Sequence, residues 1–267
     1  MPELPEVETI ARTLGPDVTG REILRVEVLD ASALAPDAAA FATLTAGRRI
    51  VAVGRRAKLL LLSLSPRTGE GGEAGGGALI AVHLRMTGRI FVLTPGMHTE
   101  RTRAVLHLSG DVRLAFADLR RFGSMHVFSG GLDGAITAWP FYASLGPEPL
   151  TMTAPEFDAR LGHGRARIKA LLLDQSVVAG IGNIYADEAL FRAGLRPDTP
   201  ANRIGPEKRA ALFTAVREVL AQAIAENGSS IRDYRDAHGD AGAFQNHFRA
   251  YGRAGEACLI CGETMQW

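Results

Sequence analysis

The sequence has 267 residues, 46% of them apolar and 22% charged, with 30 Lys+Arg against 29 Asp+Glu and two cysteines. That length buries a core in one large domain or two smaller ones, and the balance excludes a disordered chain or a disulfide scaffold. The leucine-rich run at residues 59–62, extended by Ser63 and Leu64, is far short of the ~20 residues of a membrane helix. The start Met1-Pro2-Glu3-Leu4-Pro5-Glu6 also lacks the basic and apolar regions of a secretory signal, so a cytoplasmic protein is expected.

After Pro5, residues Val7, Ile10, Ala11 and Leu14 recur at helical spacing until Gly15-Pro16, which predicts a short amphipathic helix over 6–14. Segments 23–29, 49–53, 59–64, 79–84, 89–93, 104–108, 113–116 and 124–128 are short, rich in Val, Leu, Ile and Phe, and mostly separated by Gly or Pro. They predict an all-β sandwich or barrel. Residues 66–78 contain six glycines in thirteen and read as a flexible surface insertion. A breaker-rich passage over 130–149 marks a domain boundary, beyond which 155–161, 168–174, 184–193 and 207–226 read as helices. From Gly239 the chain returns to Gly, aromatic and Arg residues and ends with Cys258 and Cys261.

The net charge of +1 conceals an uneven distribution. Residues 1–30 carry seven acids against three arginines, whereas 38–69 carry Arg48, Arg49, Arg55, Arg56, Lys58 and Arg67 with no acid. Arg101, Arg103, Arg113, Arg120 and Arg121 form a second basic group. From charge alone these are either a phosphate-tracking face or solvated strand edges.

Initiator methionine is normally removed before a small residue, which would leave Pro2 as a terminal secondary amine. An α-amino group titrates near ~8, so an appreciable fraction is neutral and nucleophilic, unlike a lysine at ~10.4. Such an amine attacks an aldehyde-like carbon to give an iminium ion. Glu3 adjoins it and Glu6 lies one helical turn on, so two carboxylates can divide proton transfer from positioning. Pro and Glu are also ordinary residues at a helix start.

The run Met1-Pro2-Glu3-Leu4-Pro5-Glu6-Val7-Glu8-Thr9 resembles the amino-terminal signature of bacterial formamidopyrimidine-DNA glycosylases, the oxidised-purine branch of the Fpg/Nei family. Further matching runs follow in order: Ala57-Lys58, His83-Leu84-Arg85-Met86-Thr87-Gly88, Asp118-Leu119-Arg120-Arg121-Phe122-Gly123 and Ile168-Lys169-Ala170-Leu171-Leu172-Leu173-Asp174-Gln175. Gly180-Ile181-Gly182-Asn183-Ile184-Tyr185-Ala186-Asp187-Glu188 and Tyr251-Gly252-Arg253-Ala254-Gly255-Glu256-Ala257-Cys258 complete them. The resemblance spans essentially the whole chain, with the glycine-rich insertion as its main interruption.

It implies an α+β multidomain fold: a catalytic β-sandwich over 1–133 that includes the N-terminal helix, a hinge over 134–150, a helix–two-turns–helix DNA-binding domain over 151–238, and the start of a zinc-finger hairpin over 239–267. It further implies a monomeric DNA-formamidopyrimidine glycosylase and DNA-(apurinic or apyrimidinic site) lyase of base excision repair. Such an enzyme excises 8-oxoguanine and formamidopyrimidines from damaged duplex DNA and nicks the strand by β,δ-elimination. By the same resemblance, Pro2 attacks sugar C1′, Glu3 shuttles protons, Glu6 helps to hold the site, and Lys58 donates a proton in β-elimination and contacts DNA.

Base extrusion leaves a gap in the stack. Met86, Arg120 and Phe122 match the residues that fill it: Met and Phe as wedges, Arg as a donor to the orphaned base. The usual Asp-Pro before these arginines is Asp118-Leu119 here. Gly180-Ile181-Gly182-Asn183 opens a predicted helix whose N–H groups and dipole suit a phosphate, and Lys169, Asn183 and Tyr185 are expected to contact DNA. Arg165 and Arg101 align near further contacts, though the family commonly has His at the latter. Residues 227–231, Asn-Gly-Ser-Ser-Ile, match the start of a loop that covers an extruded purine.

Cys258-Leu259-Ile260-Cys261 is half of a zinc knuckle, since a structural site takes about four ligands. The second pair, and the family arginine used in δ-elimination, would lie past Trp267. A chain truncated by one hairpin, with weakened DNA binding, is expected; no cofactor enters the chemistry. Two other readings compete: an oxidised-pyrimidine, endonuclease VIII-like glycosylase, and a DNA-binding protein without catalysis. Leu4, the Val7-Glu8-Thr9 continuation and Ser229-Ser230 favour the purine branch, and Pro2, Glu3 and Lys58 favour an enzyme.

Overall fold

The computed structural model describes residues 1–67, 76–93, 101–231 and 234–266. Residues 68–75 of the glycine-rich insertion, and Trp267, therefore lie outside the described residues. The chain forms two compact units. The first comprises Met1–Pro2, Glu6–Ala143 and Ser230–Gly242, and the second Glu3–Pro5, Ser144–Ser229 and Ala243–Trp267.

Helix α1 (Leu4–Val18) is longer than its sequence pattern predicts and runs through Pro16. A proline inside a helix costs ~3 kcal/mol. Leu14 and Val18, on either side of it, are both fully buried, and each contributes roughly 1.5–3 kcal/mol, so burial outweighs the break. Next come β1 (Ile23–Val28), a short β2 (Leu34–Ala35), and α2 (Ala38–Thr45), whose alanine-rich stretch the strand pattern conceals. Asp37 caps α2 by accepting the Ala40 N–H.

Strands β3 (Ile50–Arg56), β4 (Leu59–Leu64), β5 (Ala78–His83), β6 (Gly88–Val92), β7 (Thr102–Leu108), β8 (Arg113–Asp118) and β9 (Ser124–Ser129) complete two sheets. One runs in the order β1-β7-β8-β6 and the other β2-β9-β5-β4-β3. Apart from the parallel β2–β9 pair, neighbouring strands are antiparallel. The expected β-sandwich is therefore present. Its core joins Ile23, Leu106 and Phe116 of one sheet, Leu62, Ile80 and Met125 of the other, and Val7, Ile10 and Leu14 of α1. Glu8 fixes α1 further, accepting from Arg55 of β3 (2.9 Å) and from Arg12 (2.8 Å). Burial alone would raise the Glu8 pKa, and the two guanidinium groups hold it below its ordinary value.

Where the sequence reads as a string of breakers, two short helices form, α3 (Gly131–Ala138) and α4 (Pro140–Ala143). The second unit contains α5 (Ala154–Leu161), α6 (Ile168–Leu173), α7 (Asn183–Ala193) and α8 (Pro206–Ala225). Thr153 and Glu156 form a reciprocal capping box at the start of α5. Between α6 and α7, side chains build the turns: Asp174 accepts the Ser176 N–H (2.9 Å), and Gln175 accepts from Gly180 N–H and donates to Ile181 C=O, both 2.9 Å. Leu4, Ile168, Leu172, Ile181, Tyr185, Leu212, Val216 and Phe244 share the core of this unit. No helix among the described residues is long and apolar enough to cross a membrane.

Candidate active site

The amino terminus supplies the chemistry-bearing groups. Pro2 is buried, and Glu3 and Glu6 are 4% and 2% exposed. Within the second unit the Glu3 carboxylate accepts from the N–H groups of Gly182 (2.6 Å) and Ile184 (3.1 Å) at the start of α7. The helix dipole and two directed donors thus fall on a buried carboxylate, a charge-assisted arrangement that fixes both its position and its rotamer. This changes the expectation for the Gly180–Asn183 turn: those two donors serve Glu3 and not a phosphate.

Two glycines make the approach possible. A Cβ on Gly182 would lie 2.3 Å from Glu3 Cδ, and one on Gly180, whose φ is +102°, would lie 2.7 Å from a Leu4 methyl. The Leu4 N–H donates to Gly180 C=O at 3.0 Å, tying the same segment down a second time. In the first unit, the Tyr234 hydroxyl donates to the Glu6 carbonyl (3.3 Å), and burial first, then the Glu6 charge, pushes that phenol's pKa up.

Lys58 is the second residue of the two-residue turn between β3 and β4, directly after Ala57 with φ +54°, and it is 7% exposed. Nearby His83 has its pKa pushed down to about 3 by burial and by the charges of Arg85 and Lys58. Its Nδ1 accepts the Arg85 N–H at 3.2 Å, so the neutral ring carries its proton on Nε2. It is an uncharged donor beside a lysine, and the sequence reading did not single it out.

Met86, Arg120 and Phe122 sit on two loops of the first unit. Met86 (45% exposed) occupies the turn between β5 and β6, while Arg120 and Phe122 (55% exposed) occupy the loop between β8 and β9. The Arg120 guanidinium lies 4.8 Å above the Phe122 ring. Strain concentrates here: of the five described non-glycine residues with positive φ, Ala57, Arg85 and Arg121 directly precede Lys58, Met86 and Phe122, and Asn227 opens the 227–231 loop. Arg101, also exposed, accepts the Asp118 N–H on its carbonyl at 3.0 Å.

In the second unit Lys169 and Asn183 line a cavity of about 450 Å³ together with Asp187, Tyr251, Gly252 and Leu195. Lys169 Nζ is 2.7 Å from Asp187 Oδ1, Asn183 is exposed, and Arg165 is exposed between α5 and α6. Tyr251 thereby joins the candidate contacts, which its place in a matching run hinted at without assigning a role. Tyr185 departs from expectation. At 1% exposure it is a core residue, packed on Phe244, with its hydroxyl 3.2 Å from Ser229 Oγ. Its contact braces the 227–231 loop at Ser229 from within the core.

The tail forms a small hairpin in which Ala257 bridges Thr264 and the Gly262 N–H donates to Cys258 C=O (2.9 Å). Cys258 Sγ accepts the Ile260 N–H at 3.4 Å, the geometry of a knuckle, and the N–H groups of Cys261 and Ile260 lower its pKa. No group of three or more His, Cys, Asp or Glu among the described residues could hold a metal ion. Two thiols are half of a tetrahedral donor set, so these residues alone do not fit a structural zinc ion.

A sequence profile of the formamidopyrimidine-DNA glycosylase N-terminal domain matches residues 1–125, and one of the H2TH domain of the same proteins matches 145–235. The chain is 46% identical to the formamidopyrimidine-DNA glycosylase of Chloroflexus aurantiacus, over all of this chain and 92% of that protein. Among solved structures it is similar to the MutM (Fpg) protein of Thermus thermophilus, with TM-score 0.85 and 42% identity over 99% of this chain and 92% of that one. It is also similar to a point mutant of Lactococcus lactis Fpg in complex with Fapy-dG-containing DNA, with TM-score 0.86 and 31% identity over 99% and 93%. With near-complete coverage in each comparison, the chain belongs to the formamidopyrimidine-DNA glycosylase family.

Proposed function

We infer that this protein is a DNA glycosylase of base excision repair that removes oxidised purines, 8-oxoguanine and formamidopyrimidines, from duplex DNA and then cleaves the abasic strand. The observation that supports it most is the Glu3 carboxylate, buried next to Pro2 and aimed by the N-terminus of α7. A DNA-binding protein without catalysis has no use for a buried acid held in one position directly after Pro2.

After Met1 is removed, the Pro2 nitrogen lone pair forms a bond to sugar C1′ while the bond from C1′ to the damaged base breaks and the base leaves as a proton reaches it. Glu3 lies one residue from the reacting nitrogen and serves the proton transfers at the sugar. A proton delivered to O4′ then lets the C1′–O4′ bond break, which opens the sugar ring and leaves C1′ as the iminium ion with Pro2. The iminium acidifies the C2′ proton, and its loss expels the 3′ phosphate oxygen, with Lys58 as proton donor. Met86 and Phe122 fill the vacated stack, and Arg120 donates to the orphaned base. Lys169, Asn183, Tyr251, Arg165 and Arg101 hold the backbone, and residues 227–231 cover the extruded purine. A zinc ion would take Cys258 and Cys261 as two of its four donors and only brace the hairpin. The reaction takes place in the cytoplasm, on a monomer.

Oxidised pyrimidines form a second substrate class, suggested by the 30%-identical wild-type Lactococcus lactis Fpg, solved in complex with an oxidised-pyrimidine-containing DNA. Borohydride reduction during reaction with an 8-oxoguanine duplex is expected to give a covalent adduct on Pro2, and faster excision of 8-oxoguanine than of thymine glycol. No adduct from folded protein whose first residue is Pro2 sinks the enzyme reading. Gly182→Ala tests the Glu3 arrangement: its Cβ forces the carboxylate aside, and a displacement of ~1 Å predicts roughly 100-fold slower excision with the fold retained. Unchanged single-turnover rates would exclude that role for α7.

A further inference from the structure

Asp118 ends β8 almost completely buried, at 1% exposure. Its carboxylate collects four donors: Thr87 Oγ1 (2.5 Å) and Arg120 N–H (3.1 Å) on Oδ1, and Phe122 N–H (2.8 Å) and Gly123 N–H (2.7 Å) on Oδ2. The Thr87 hydroxyl also accepts the Arg120 N–H at 3.1 Å. One side chain of the Met86 turn thus reaches the Arg120–Phe122 loop twice, through the carboxylate and through the backbone of Arg120 itself.

The surroundings leave this assembly little freedom. Arg103 donates two hydrogen bonds to Asp118 C=O (3.0 and 2.7 Å), and Asp30 lies 3.3 Å from Arg121 and 3.6 Å from Arg103. Gly88 N–H closes the Met86 turn on Leu84 C=O at 2.9 Å. Among these groups, only the Thr87 hydroxyl links the turn to the loop without being part of the loop's own scaffold.

We propose that Thr87 is a positioning residue for recognition of the opposite base: its hydroxyl latches the Met86 turn to the Arg120–Phe122 loop, so that the three side chains enter the duplex as one preset unit. The inference rests on the glycosylase reading above. A guanidinium only donates. Of the four bases, cytosine alone presents two adjacent acceptors, O2 and N3, on its pairing edge, whereas adenine places a donor beside N1. A rigidly held Arg120 therefore favours cytosine over adenine, and a loosened one discriminates less.

The test uses the full chain and its Thr87→Val and Thr87→Ser variants. Valine keeps the shape and removes the hydroxyl, and serine keeps the hydroxyl. Single-turnover excision of 8-oxoguanine is measured opposite cytosine and opposite adenine, with thermal melting of each protein. A bidentate contact discriminates by ~1–3 kcal/mol, so Thr87→Val is expected to cut the cytosine-to-adenine rate ratio at least about fivefold, with Thr87→Ser within about twofold of wild type. A Thr87→Val ratio equal to wild type overturns the proposal even if both rates fall, because a general loss of stability slows both substrates alike. A wild type indifferent to the opposite base overturns it too. If Thr87→Val does not fold, Thr87→Ala carries the same prediction. Wild type that neither excises nor forms the borohydride adduct removes the glycosylase reading itself, which is a separate result from an active enzyme with an unmoved ratio.

Discussion

His83 shows how a single residue's surroundings set its chemistry. Burial and the adjacent charges of Arg85 and Lys58 lower its pKa to about 3, so the folded protein keeps the ring neutral where an unfolded chain would protonate it near 6.5. Below that value the unfolded state binds more protons than the folded one, and stability falls as the pH drops from about 6.5 toward about 3. The limiting slope is about 1.4 kcal/mol per pH unit. Urea unfolding at about pH 7 and about pH 5 should show this loss, and His83→Gln should flatten it by the His83 share. A variant with the wild-type slope would assign the acid sensitivity to other groups. The residue's type and run were visible in the sequence, but its burial was not. Glu3 is similar: its nearness to Pro2 is read directly, whereas its partners Gly182 and Ile184 lie far along the chain.

At the level of elements, apolar periodicity was the dependable guide. The strand pattern from Ile23 to Phe128 and the helices from residue 155 onward follow it closely, because each buries at least one face. It was misleading where a local signal opposed a tertiary one. Pro16 reads as a stop, yet Leu14 and Val18 are buried and α1 continues to Val18. Tyr185 reads as a contact because its neighbours do, yet α7 turns it inward. Glu188 on the same helix also points inward, at 4% exposure, and its carboxylate accepts the N–H groups of Arg249, Ala250 and Tyr251 at 2.8–3.0 Å. It anchors the segment that carries Tyr251 and leads to the cysteine hairpin. Removing an acceptor from part-buried donors costs roughly 1–3 kcal/mol for each group left unsatisfied. Glu188→Ala should therefore abolish hydrogen-exchange protection at 249–251 first and leave the strands of the first unit protected. Equal protection in the variant would show that the segment is held by its ring contacts, Phe248 on Tyr251 among them.

For the molecule as a whole, a charge of +1 gives little long-range attraction for a polyanion, so affinity must come from local cations at fixed places. The side chains proposed to hold the DNA backbone divide into charged ones, Lys169, Arg165 and Arg101, and neutral donors such as Asn183 and Tyr251. Counterion release distinguishes them. Each neutralised phosphate adds about 0.9 to the slope of log affinity against log salt, so Lys169→Ala should flatten that slope by close to one unit, whereas Asn183→Ala should lower affinity at every salt concentration and leave the slope unchanged. Asp187 sharpens the prediction, because its carboxylate sits 2.7 Å from Lys169 Nζ and competes with an incoming phosphate. Asp187→Asn removes that competition and should both strengthen binding and steepen the slope. Equilibrium titrations of a lesion duplex at several salt concentrations check all three variants together. If Lys169→Ala leaves the slope untouched and Asp187→Asn weakens binding, the pair is a structural clamp between α6 and α7, and the phosphate lies elsewhere.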